Sequence, residues 1–192
     1  MVLLIVRHGR TVANAEGLLQ GRVDNPLDAE GLRQAKQIRI ALGPIDVVVS
    51  SPLQRALQTA KPLGLPCRVD ERWIELDYGA WDEKPIGEIT KEEWIRWRSD
   101  PTFTPPGGES LEELDRRVAQ GCEALLLEAE ESNVAVFTHV SPIKSAVAWA
   151  LGTNEQISWN LSVGQAQITR IAVRGGRPVL TSFNETAHLE EL

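Results

Sequence analysis

Histidine and cysteine are both scarce in this chain of 192 residues, with three of the first and two of the second. Three histidines do not make a His-rich metal site. Cys67 and Cys122 stand far apart and read as buried thiols in a reducing cytosol, not as a disulfide framework. No apolar run approaches the roughly 20 residues that span a bilayer. Met1 leads directly into an apolar run, which leaves no room for a signal or transit peptide, so a cytoplasmic location is expected. Positive charge is short as well: 20 Lys and Arg against 27 Asp and Glu give a net charge of -7. That balance argues against nucleic acid or an anionic membrane as partner. An acidic protein that binds an anion must concentrate its cations locally, so the position of each arginine matters.

Several catalytic signatures are missing too. There is no G-x-x-x-x-G-K-[ST] loop, no G-x-G-x-x-G, no G-x-S-x-G elbow and no H-E-x-x-H. Neither cysteine is followed by an arginine six positions on, and no apolar run leads into an Asp-x-Asp pair. Nucleotide cradles, the usual serine hydrolase, cysteine and aspartyl phosphatases and zinc peptidases therefore lack their residues.

What is present is ordinary in bulk and specific in pattern. With 42% hydrophobic and 24% charged residues, the composition is that of a globular chain of one good-sized core, expected as one domain over 1–192. Three segments share one design: Val2–Val6 before Arg7-His8-Gly9, Val47–Val49 before Ser50-Ser51-Pro52, and Val134–Phe137 before Thr138-His139. Each is a short, β-branched, non-alternating run, as strands covered on both faces require. Helical patterns lie between them. Leu32, Ala35, Ile38 and Leu42 mark one amphipathic helix; Ser110 with Glu113 caps another that carries Leu111, Leu114, Val118, Cys122 and Leu125 on one face. Ser51, Pro52 and Gln54 predict a capped helix start, and Ser141-Pro142 a second, with Ile143, Val147 and Leu151 at four-residue spacing. Arg174-Gly175-Gly176-Arg177 between two β runs predicts a hairpin, whose outer strand is an edge that can support a homodimer. The alternation predicts a three-layer α/β/α fold with a mostly parallel central sheet.

In such folds ligands bind outside the carboxyl ends of the strands. The polar clusters at Arg7-His8, Ser51–Arg55 and Thr138-His139 all fall there, so they should converge, with Arg10 and Asn14 nearby. Arginine forks and helix N-termini suit phosphate oxygens, and Gly9 would let the backbone approach a ligand. A neutral imidazole among cations can attack phosphorus while the arginines stabilise the transferring oxygens. One Arg-His pair after a strand is a weak signal; a second histidine and a third cation at other strand ends are hard to explain as packing.

With those residues in view, the chain resembles the histidine phosphatase superfamily, the phosphoglycerate mutase-like proteins. RHGRTVAN (7–14), SSPLQRALQTA (50–60) and VFTHV (136–140) carry the resemblance most specifically. NPLDAEGLRQA (25–35), ELDYGAW (75–81), PPGGES (105–110) and SFNETAHL (182–189) follow in the same order. The resemblance implies His8 as the nucleophile that becomes phosphohistidine. It implies Arg7, Arg55 and His139 around the phosphate, Asn14 and the Val140 N–H as donors to it, and Glu75 as the acid and then base, with Asp77 as runner-up. It implies no metal and no cofactor. Gln20 and Arg22 are candidates for the pocket rim, and His188 is expected to be structural or solvated.

Three positions depart from the family pattern. Arg10 replaces a common Glu or Gln, either as a further cation at the pocket or as the partner of a carboxylate. Val140 replaces a glycine after the second histidine, and Glu83 stands where a glycine commonly follows the Trp-acid pair. Residues 82–108 can form a lid, with Trp94 and Trp97 on one helix face and Arg98 towards substrate, or simply pack a helix on the domain. Only about 25 residues separate Trp81 from Pro106, too few for the inserted segments of the mutases. The expectation is therefore a phosphatase acting on a small phosphomonoester. The alternatives are a cofactor-dependent phosphoglycerate mutase and a non-catalytic phospholigand-binding module.

Overall fold

Six strands build one sheet in the order β3-β2-β4-β1-β5-β6. They are β1 (Val2–Arg7), β2 (Val47–Ser50), β3 (Cys67–Val69), β4 (Val134–Thr138), β5 (Ile168–Arg174) and β6 (Arg177–Glu185). The computed structural model describes residues 1–190, so Glu191 and Leu192 of the expected 1–192 domain lie outside the described residues. β1 to β4 pair in parallel, while β5 and β6 join antiparallel at one side. The helices are α1 (Val12–Ala15), α2 (Ala29–Leu42), α3 (Gln54–Ala60), α4 (Lys91–Ser99), α5 (Leu111–Leu126), α6 (Glu128–Glu131) and α7 (Val140–Leu151).

The non-alternating strands are apolar on both faces because both faces are covered. Leu3, Ile5, Val49, Val134 and Val136 pack with the α5 stripe Leu111, Leu114, Val118, Cys122 and Leu125 and with Ile143 of α7. Leu4, Val6, Val48, Ala135 and Phe137 pack with Ile38 and Leu42 of α2 and Ala56 and Ala60 of α3. This is the expected three-layer α/β/α arrangement. Burying each of these large side chains contributes roughly 1.5–3 kcal/mol, so the sheet centre is firmly held. At the other end of the chain, Gly175 (φ 56°) and Gly176 (φ 72°) make the tight hairpin turn between β5 and β6.

Some local expectations give way to tertiary contacts. Ser110 and Glu113 form their capping box, as do Thr90 and Glu93 at α4. The Ser51–Gln54 box does not form: α3 starts at Gln54, whose N–H donates to Asp24 Oδ1 at 2.6 Å. Ser141-Pro142 does not open its helix either, because α7 already begins at Val140 with His139 at the cap position. Cys122 is buried, but Cys67 is exposed, since β3 is a three-residue edge strand exposed throughout. Leu32 and Leu151 are also exposed, narrowing the apolar stripes predicted for their helices. Glu83 takes φ 64°, the left-handed region, which accounts for the preference for glycine at this position. Among the described residues no helix is long and apolar enough to cross a membrane.

Candidate active site

The carboxyl ends of β1, β4 and β2 are adjacent: Arg7 is level with Thr138, and Ser50 with Phe137. The chain leaves the sheet there in parallel steps. His8 N–H donates to Thr138 O at 3.0 Å and Ser51 N–H to Phe137 O at 2.9 Å. His8 and His139 thereby face each other, with ring centroids 5.1 Å apart. Gly9 makes a close backbone contact within the chain itself. A side chain there would meet Gly31 O at 2.6 Å, and one at Gly31 would meet Arg10 O at 2.1 Å, so this glycine pair seats the loop on the start of α2. Thr59 holds the same loop, its Oγ1 accepting from Gly9 N–H at 3.0 Å.

Hydrogen bonds fix both imidazole tautomers. His8 Nδ1 lies 2.7 Å from Gly9 O, and a carbonyl only accepts, so Nδ1 carries the proton and Nε2 keeps its lone pair. His139 Nδ1 accepts from Arg55 Nε at 3.2 Å, so Nε2–H donates to Ser51 Oγ at 2.7 Å. Burial pushes the pKa of each histidine well below its ordinary value, and the neighbouring Arg55 and Arg7 push further. Both rings are neutral near pH 7.

The cations are held without a direct ion pair, Glu75 being the carboxylate that both feel through space. Arg55 is fully buried and donates to Val23 O at 2.7 Å and Gly21 O at 2.6 Å. That loop is itself fastened by Asp82, whose carboxylate accepts from the N–H groups of Gly21, Arg22 and Val23. Arg7 donates to Val163 O at 2.9 Å, and its enclosed Nε has no partner. Neither guanidinium has a carboxylate within ion-pair distance among the described residues. Burial lowers each pKa to about 10.

Glu75, itself buried, closes the site from the other side. Its carboxylate accepts from Val140 N–H at 3.0 Å, Ser141 N–H at 3.1 Å and Leu76 N–H at 2.8 Å. Glu75 thus takes the free N–H groups at the start of α7, an anion at the positive helix end. This is why Ser141 is not needed as a cap, and why the Val140 N–H, expected to face phosphate, is already engaged.

Arg7, His8, Asn14, Gln20, Glu75, Tyr78 and Val140 line one cavity of about 230 Å³. Arg55 and His139 are not in this lining; they join the site through each other and through the His139 ring facing His8. Asn14 donates to Gln20 Oε1 at 3.3 Å, which also accepts from Thr11, leaving the buried Gln20 Nε2 without a partner. Two candidates are drawn elsewhere: Arg10 pairs with Asp28 at 2.7 Å, and Arg22 with Asp77 at 3.3 Å and Glu109 at 3.4 Å. Asp77 is occupied there and outside the cavity lining. His188 contacts Ala166 O at 3.0 Å, behind the His8 loop. α4 packs through buried Trp97, and Arg98 lies over the Trp159 ring at 5.5 Å instead of reaching the cavity.

The sequence reading missed the supports. Arg117 of α5 donates to Arg72 O, Ile74 O and Glu75 O at 2.8, 2.7 and 3.1 Å, and its fork pairs with both oxygens of Glu109 at 2.6 and 2.8 Å. It fixes the backbone that presents Glu75. Its only sequence signal was an arginine near the apolar stripe of a helix, which is too common to single out.

Enclosed cations without ion pairs beside a neutral imidazole with a free lone pair, at the strand ends of a doubly covered sheet, make a site suited to an anion in an α/β protein. The sequence profile of the histidine phosphatase superfamily (branch 1) matches residues 3–186, and the chain belongs to that family. Phosphoserine phosphatase 1 of Hydrogenobacter thermophilus is 31% identical over 199 aligned positions, covering 98% of this chain and 94% of that protein. A bifunctional protein of Mycobacterium tuberculosis is 35% identical over 87% of this chain but only 49% of its own length. The chain thus spans about half the length of the mycobacterial relatives it matches. Among solved structures, a phosphoserine phosphatase mutant of Entamoeba histolytica bound to phosphoserine superposes with a TM-score of 0.91 at 29% identity, over 98% of this chain and 99% of that one.

Proposed function

We propose that the protein is a metal-independent phosphatase of small phosphomonoesters that works through a phosphohistidine at His8. The observation that carries this reading is the pair of enclosed guanidiniums with no carboxylate in ion-pair contact, set beside an imidazole whose Nε2 lone pair is free, with Glu75 as the carboxylate facing both. Buried charge of one sign is costly unless something neutralises it, and a phosphate dianion is the ligand that does so here. Phosphoserine phosphatases among the relatives support a small phosphorylated metabolite as substrate.

In the first step the His8 Nε2 lone pair forms a bond to phosphorus while the bond to the ester oxygen breaks. Glu75, which enters this step carrying the proton it takes from water at the end of each cycle, gives that proton to the leaving oxygen, and Arg7 and Arg55 stabilise charge on the transferring oxygens. In the second step Glu75 takes a proton from water, the water oxygen bonds to phosphorus, and the P–N electron pair returns to Nε2. The Nδ1–H bond to Gly9 O keeps the ring oriented through both steps. Phosphate release from p-nitrophenyl phosphate, phosphoserine, sugar phosphates and 3-phosphoglycerate, with chelator present, tests the reading. Release is expected. Interconversion of phosphoglycerates without release would make the protein a mutase, and silence on both would leave a binding module.

A further inference from the structure

A second cavity, of about 130 Å³, lies beside the catalytic one. The two share Leu19, Tyr78 and Val140. Past that boundary the wall is aromatic. Trp94 and Trp97 stack at 5.4 Å, and Trp159 stands edge-on to Trp97 at 5.3 Å. Lys144, one turn beyond Val140 on α7, also lines it. Its ammonium donates to Ser158 O at 2.8 Å and has no carboxylate within ion-pair distance among the described residues. An apolar cavity of about 150 Å³ takes a benzene ring; at about 130 Å³ this one encloses most of a ring, with the remaining edge lying across the boundary shared with the catalytic cavity.

Glu75 ties the two cavities together. The N–H groups that hold its carboxylate belong to Val140, which lines both, and to Ser141, which lines the second. An ester oxygen that takes its proton from Glu75 therefore sits at the boundary, and the group it carries leads past Tyr78 and Val140 towards the tryptophans. We propose that this cavity is the leaving-group subsite, built for an alcohol with a ring-sized apolar body that ends in a carboxylate. The ring lies against the tryptophan wall and the carboxylate pairs with Lys144. This deepens the phosphatase reading and rests on it. It also separates the chain from enzymes of phosphoserine, whose small leaving group leaves the wall uncovered and whose ammonium Lys144 repels.

The test compares kcat/KM for ethyl phosphate, benzyl phosphate, 4-carboxybenzyl phosphate and phosphoserine. All four are esters of primary alcohols, so differences in intrinsic leaving ability are kept small. The subsite predicts benzyl over ethyl phosphate by tenfold or more, and a further fivefold or more for the carboxylate, with phosphoserine well below 4-carboxybenzyl phosphate. Lys144→Met should abolish most of the carboxylate preference, and Trp159→Ala should shrink the benzyl-to-ethyl ratio. A flat ranking, phosphoserine as the best ester, or a carboxylate preference that survives Lys144→Met would overturn the subsite while phosphate release still upholds the phosphatase. No release from any ester would overturn the phosphatase reading, and the subsite with it.

Discussion

Arg55 and Arg117 are both largely withdrawn from water and both hold backbone carbonyls, yet they end differently. Arg117 meets Glu109 through two parallel bonds and so carries no net charge into the protein. Arg55, and Arg7 with it, finds carbonyls and an imidazole but no carboxylate. The paired arginine is a strap; the ones with no ion pair are where the proposed phosphate site lies. Among enclosed cations, what separates the two kinds is therefore the direct ion pair, since both make short hydrogen bonds.

That contrast predicts where each change should register. His8→Ala, in the unpaired region, should cut phosphate release by about 10⁴-fold or more while the urea midpoint stays near that of the unaltered protein. Residual turnover within tenfold would sink the nucleophile assignment. Glu75 belongs to both regions, its carboxylate at the site and its carbonyl on Arg117. Glu75→Gln should lower kcat/KM, which reports the first step, by about 10²–10⁴-fold for alkyl phosphates and far less for aryl phosphates, while kcat falls for both through the slowed second step; equal losses of kcat/KM on both would move the acid role elsewhere.

Arg117→Met should register in stability. It strands three carbonyls and leaves Glu109 with only its longer contacts to Arg22 and the Asp77 N–H, a loss of roughly 2–4 kcal/mol by denaturant titration. An unchanged midpoint would erase the distinction between the two kinds of arginine. The ligand side has the complementary test. Vanadate or phosphate at about 100 times its Kd should stabilise the protein by about 2.7 kcal/mol, and Arg7→Leu and Arg55→Leu should each lose most of that gain.

The smallest effect concerns acid. Both site histidines are held neutral below the ordinary histidine pKa. The unfolded chain takes up protons near pH 6.5 that the fold refuses, so stability is lost as pH falls below that value. Each histidine contributes at most about 1.4 kcal/mol per pH unit. His8→Gln should flatten the slope between pH 6.5 and 5 by one histidine's share, and bound phosphate, which offsets the arginines, should flatten it as well.

The strands β1, β2 and β4 were legible because burial on both faces writes itself as β-branched runs. The box at Ser110 was legible because both its partners lie within one turn. Ser51 and Ser141 failed as caps for the opposite reason. Asp24 and Glu75, distant in sequence, claim those helix starts, and Ser51 is engaged by His139. Arg10 was readable only as two alternatives, and its partner is Asp28. Lys144 and Arg117 gave no signal, since an amphipathic helix offers many such cations and only the fold says which one faces a cavity or a loop.

The most direct measurement is rapid-quench trapping of the phosphorylated enzyme with labelled substrate, using Glu75→Gln to slow the second step. The account predicts an acid-labile, base-stable label on the peptide that contains His8, absent in His8→Ala. An acid-stable label, a label on any other residue, or turnover that proceeds with no labelled protein would contradict it.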